Sequence, residues 1–133
     1  LGFRVYKLAE SNFKPWVGVQ EKDPETYTNQ MQAFNDALVE GWTMDTVLSG
    51  LAIQHGLCLT YQVEKIAILG GTVYKLTDPE KEQSLFVCLD GHIDLAAFNE
   101  LKLDKETIFI CLDSALDDET AANLALVCRL ETI

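Results

Sequence analysis

The sequence predicts an α/β protein, with α+β as the alternative: a helical hairpin followed by a mixed sheet that combines an antiparallel hairpin with two parallel βα units. Two observations carry most of this. Phe86-Val87-Cys88-Leu89-Asp90-Gly91 and Phe109-Ile110-Cys111-Leu112-Asp113-Ser114 are near-identical apolar runs, each ending at an aspartate and each leading into helical apolar spacing. That is the pattern of a buried parallel strand feeding a crossover helix. Gly70-Gly71 separates two strand-like runs, Tyr61–Leu69 and Thr72–Leu76, as a tight antiparallel turn requires.

Taken in order, Phe3-Arg4-Val5-Tyr6-Lys7-Leu8 alternates apolar and basic residues, the period of a strand with one wet face. Asn12 to Gly18 is punctuated by Pro15 and Gly18 and holds Phe13 and Trp16, two aromatics that water would solvate poorly. A first helix is expected from Asp23-Pro24-Glu25, a cap, an N1 proline and an acid suited to the dipole. Its apolar stripe is Tyr27, Met31, Phe34 and Leu38, and Gly41 ends it. Thr43 then caps a second helix with Met44, Val47, Leu48, Leu51 and Ala52 on one face, closed by Gly56. A link of a few residues makes the two an antiparallel hairpin.

After the glycine turn and the charged Asp78–Glu82 turn comes the first repeat strand, Leu85–Leu89. Ile93, Leu95, Ala96, Ala97, Phe98 and Leu101 form a short amphipathic helix, and Ile108–Leu112 is the second repeat strand. Asp117-Asp118-Glu119 places acids where a helix begins, and Ala121, Leu124, Ala125 and Cys128 continue its stripe. Residues 128–133 are left open between helix and strand. The domain division is 1–22, a strand and linker, and 23–133, one α/β domain.

Composition narrows the chemistry. Acidic residues number 21 against 10 basic, a net charge of -11, so the averaged field repels phosphate backbones and anionic headgroups. No apolar run approaches the roughly 20 residues of a membrane span, and no signal sequence opens the chain, which reads as cytoplasmic. Cys58, Cys88, Cys111 and Cys128 lack the clustered spacing of zinc ligands and read as reduced core residues. The start at Leu1, directly in a strand-like run, reads as a piece of a longer protein.

Asp90 and Asp113 end the two parallel strands, where open α/β sheets bind ligands, and with His92, Asp117 and Asp118 they outline a candidate ion or acid-base edge. An aspartate between strand and helix is equally the preferred turn and capping residue, which needs no ligand and is the preferred reading. His55 and His92 have no nucleophile at triad spacing, and Gly70-Gly71 lacks the spacing of a phosphate loop. Lys14 and Trp16 either pin the linker to a domain or reach a nucleic acid by charge and stacking.

Leu1-Gly2-Phe3-Arg4-Val5-Tyr6-Lys7-Leu8, followed by Ser11-Asn12-Phe13-Lys14 and Trp16, resembles the segment after the cofactor motif in adenine-specific DNA methyltransferases of the Type III restriction-modification kind, the Mod subunit. Glu40-Gly41, Val63-Glu64, Gly71-Thr72-Val73-Tyr74, Val87-Cys88-Leu89-Asp90, Cys111-Leu112-Asp113-Ser114-Ala115-Leu116 and Asn123 resemble the C-terminal region of the same family. The family's Asp-Pro-Pro-Tyr and Phe-x-Gly-x-Gly motifs are absent here and are expected upstream of the opening strand, so no catalytic or cofactor-binding residue carries over and no metal ligand is assigned.

The resemblance implies a bacterial protein whose S-adenosylmethionine and base-flipping chemistry belong to the parent and not to this stretch. It implies a C-terminal accessory domain that supports a homodimer or docks the restriction (helicase-nuclease) subunit, with DNA held through the parent protein. Two further classes stay open: a small-molecule or metal-ion sensor at Asp90, His92 and Asp113, and an auxiliary DNA contact through Lys7, Lys14 and Trp16.

Overall fold

The computed structural model describes residues 3–15, 20, 22–33, 37–68, 71–94, 96 and 101–133. Its chain divides into two units, Leu1–Gly50 and Leu51–Ile133, and the second is an α/β sheet domain.

In the first unit the expected strand over residues 3–8 does not form: the segment belongs to no helix or strand, with Phe3 90%, Val5 75% and Leu8 105% exposed. Alternation makes a strand only where a neighbouring strand takes up its N–H and C=O groups. Arg4 Nη1 instead donates to the Tyr6 hydroxyl at 3.5 Å. A single antiparallel bridge joins Phe13 to Leu38, flanked by Lys14 N donating to Ala37 O at 2.8 Å and Val39 N to Asn12 O at 2.7 Å.

Helix α1 spans Pro24–Ala33, with the Asp23 carbonyl accepting from Tyr27 N at 3.0 Å and its carboxylate from the Thr26 hydroxyl at 3.2 Å. The expected stripe breaks up. Tyr27 and Met31 are exposed, Phe34 lies outside the described residues, and Leu38, only 1% exposed, belongs to the bridge and not to the helix. A bridge partner thus claimed Leu38 where helical spacing had assigned it to a stripe. The link to the next helix is correspondingly longer than the spacing implied.

Helix α2, Met44–Gln54, starts as expected at Thr43, whose hydroxyl accepts from Thr46 N and whose carbonyl accepts from Val47 N. Val47, Leu48, Leu51 and Ala52 are its buried face. It closes at Gly56, φ +75°, with Leu57 N reaching back to Ala52 O at 2.8 Å, the six-to-one bond of a left-handed helix stop that favours glycine.

The sheet has five strands in sequence order: β1 (Gln62–Ile68), β2 (Gly71–Asp78), β3 (Gln83–Cys88), β4 (Ile108–Cys111) and β5 (Arg129–Thr132). β1, β2 and β3 pair antiparallel; β3, β4 and β5 pair parallel. The hairpin register sets Ile68 against Gly71, while Gly70 of the expected turn lies outside the described residues. The two repeats are neighbours in register, Phe86 against Phe109 and Cys88 against Cys111. All four residues of β4 and the last four of β3 are buried, as strands covered on both faces must be.

Helix α3, Asp118–Val127, carries the chain from β4 to β5 after a 3-10 turn, Asp113–Ala115. Of the helix expected between β3 and β4, Leu95, Ala97 and Phe98 lie outside the described residues, Ala96 is helical, and Ile93 and Leu101 belong to no helix. The question left by the sequence at the C-terminus resolves as a strand. β5 lies parallel to β4, with Arg129 N donating to Thr107 O and Ile133 N to Cys111 O, both at 2.9 Å. Phe109, Val73, Cys88, Cys111, Leu124 and Cys128 centre the core, which Ile66 and Ile68 join from the rim. Among the described residues no helix is long and apolar enough to cross a membrane.

Candidate functional site

The carboxyl ends of β3 and β4 are the edge where the sequence placed Asp90, His92 and Asp113. Parallel pairing does bring the segments after the two strands together, and Ile93 N donates to Ala115 O at 3.2 Å across them. The side chains have separate employments. Asp90, half-buried, turns back onto β2: its Oδ2 accepts from Thr72 N at 2.8 Å and from Cys88 Sγ at 3.5 Å. The expectation that Asp90 starts a helix is corrected, because residues 91–94 are irregular and its carboxylate closes the hairpin instead.

Asp113 is exposed and opens the 3-10 turn, while its backbone N–H donates to Ile133 O at 3.1 Å. Asp117 is the helix-capping aspartate: its Oδ1 accepts from Thr120 N at 2.7 Å at the start of α3. The Thr120 side chain and amide hold the Asp117 carboxyl below its ordinary range, and the positive field of His92 adds a smaller push in the same direction. His92 is exposed beside it. Among the described residues no group of three or more His, Cys, Asp or Glu side chains is arranged to hold a metal ion.

Lys14 is half-buried and its amide is part of the bridge to residue 37; Trp16 lies outside the described residues. His55 pairs with Glu131, Nε2 to Oε2 at 3.2 Å, and Arg129 Nε approaches the other Glu131 oxygen at 3.8 Å. The cysteines are free thiols, with Cys88, Cys111 and Cys128 buried and Cys58 half-buried. Burial pushes Cys88 up to about 11 and Cys111 up to about 12, so neither is a nucleophile near neutral pH.

Three features escaped sequence reasoning. Asp78, the first residue of the expected charged turn, is fully buried. Its Oδ2 accepts from Cys58 N and its Oδ1 from Glu80 N, both at 2.9 Å. Its position two residues past the buried Leu76, on the same strand face, was the available signal. Gly71 was read only as a turn residue, although a Cβ there would overlap Asp90 Oδ2. The third is a groove of about 470 Å³ at the opposite, amino-terminal end of β3 and β4, lined by Lys81, Glu82, Ser84, Asp104, Glu106 and Thr107. Asp104 is committed there to its own turn, accepting from Thr107 Oγ1 at 2.8 Å and Glu106 N at 3.0 Å, which lowers its pKa.

No family model matches the chain, and no curated protein or solved structure matches it either.

Proposed function

We propose that this chain is a non-catalytic C-terminal accessory domain of a Type III, Mod-type adenine DNA methyltransferase, serving dimerisation or docking of the restriction subunit. The sequence similarity over Leu1–Trp16 supplies the family reading. The observation that carries the role is the apolar surface of the opening segment, where Phe3, Val5 and Leu8 are each at least 75% exposed. Such side chains in one short run favour a protein partner. The net charge of -11 points the same way, since it opposes a phosphate backbone and suits a basic protein surface.

S-adenosylmethionine binding and methyl transfer belong, on this reading, to the parent protein, and the compartment is the bacterial cytoplasm. The test is co-expression of the tagged chain with the restriction subunit, combined with gel filtration of the chain alone. A stable dimer or a co-eluting complex supports the proposal. A chain that stays monomeric, captures no restriction subunit and binds DNA with a steep salt dependence rules it out.

A further inference from the structure

The two halves of a missing strand pair are both present in this chain. β1 is the terminal strand of the sheet, seven residues long, and no strand lies on its outer edge among the described residues. Open edges of this length recruit extended segments. Residues 3–8 are a candidate: they lie in no helix or strand, mix apolar with basic residues at the period of a strand, and leave Phe3, Val5 and Leu8 exposed.

We propose that residues 3–8 of one copy add antiparallel to β1 of a second copy, so that two chains exchange strands reciprocally. This rests on the dimerisation half of the reading above and names its surface. One register satisfies every side chain that matters. With Lys7 opposite Glu64, Leu8 falls opposite Val63, Val5 opposite Ile66 and Phe3 opposite Ile68. An opposite-charge pair and three apolar pairs coincide, each a stabilising cross-strand contact. A slip of one residue sets Lys7 against Lys65 in one direction, or Leu8 against Gln62 in the other, and destroys the set.

The faces agree as well. Ile66 and Ile68 are half-buried and pack at the rim of the core, so Phe3 and Val5 would extend that same layer and cover them. Val63 is 45% exposed on the other face, where Leu8 would meet it. Charge favours the donor: the segment carries Arg4 and Lys7 in a chain whose net charge is -11. A reciprocal exchange closes on a two-fold axis and leaves neither strand open.

The experiment is sedimentation velocity on the 133-residue chain from about 1 to 100 μM. A dimer is expected, weakened about tenfold by Lys7→Glu or by Glu64→Lys alone and restored in the double variant, whose pair is merely reversed. Val5→Asp is expected to abolish it, with an unchanged circular dichroism spectrum because Val5 is exposed in the single chain. A chain that is monomeric throughout, its residues 3–8 held elsewhere, overturns the exchange. A dimer whose affinity survives deletion of residues 1–10 also overturns it, while leaving the dimerisation reading intact.

Discussion

Gly71 is glycine because Asp90 occupies the space a side chain would need. The Asp90 carboxylate crosses from the end of β3 to the start of β2, where its Oδ2 accepts the Thr72 amide at 2.8 Å, and a Cβ on Gly71 would overlap that oxygen. The carboxylate therefore ties the first repeat strand to the hairpin.

Gly71→Ala is accordingly expected to destabilise the domain by about 1–3 kcal/mol, the usual range for an inserted methyl group in packed surroundings. The same change in an Asp90→Ala background should cost far less, since the obstructing carboxylate is gone. Urea denaturation of the four proteins measures the coupling, and additive effects would show that the two residues are independent.

Asp78 supplies acid sensitivity. The Cys58 amide is the main influence holding its carboxyl below the ordinary value of 3.8; burial opposes this, and the Glu80 amide adds to it. A carboxyl depressed in the folded state stabilises above its unfolded value and loses that contribution as pH falls through the folded one. Asp78→Asn is expected to lower the urea midpoint at pH 7, with the gap to the parent protein narrowing below about pH 4. A gap that stays constant with pH would assign the loss to shape instead of charge.

The thiols should divide sharply. Cys88 and Cys111 are buried with pKa values pushed up to about 11 and 12, and Cys128 is raised by burial as well. Cys58 is the half-buried exception in access, although hydrogen bonding to Asp78 and its burial raise it too. A thiol-reactive disulfide reagent at pH 8 is expected to modify Cys58 alone in the folded chain and all four cysteines in denaturant. Fast reaction at Cys88 or Cys111 in the folded protein would contradict a closed core between β3 and β4.

Asp117 is expected to matter through its cap. Replacing it with Ala removes the acceptor for Thr120 N and should lower the melting temperature, whereas Asn, which also accepts that bond, should retain most of the stability. Equal losses for Ala and Asn would point to the nearby His92 charge instead.

The paired Cys-Leu-Asp runs were legible in the sequence because burial on both faces writes a continuous apolar stretch, and β3 and β4 carry it out in register. Thr43, Gly56 and Asp117 were legible for a similar reason: a helix end needs a particular local group within three or four residues. Leu38 and the run Phe3–Leu8 were misassigned because one periodicity serves several partners. Helical spacing from Tyr27 to Leu38 does not reveal that Phe13 takes Leu38, and alternation over 3–8 does not supply a neighbouring strand.

The sequence by itself determined the α/β class, the antiparallel hairpin at Gly70-Gly71, the helix starts at Thr43 and Asp117, and the burial of the two repeat strands. These rest on local backbone needs and on hydrophobic period, both of which are written within a few residues. Only the tertiary structure decided that Arg129–Thr132 is a strand, that Asp90 serves Thr72 and makes Gly71 necessary, and that Asp78 is buried beneath Cys58. Each of those depends on a partner eighteen or more residues away, and the hydrogen bond that fixes it exists only once the chain has brought the two together.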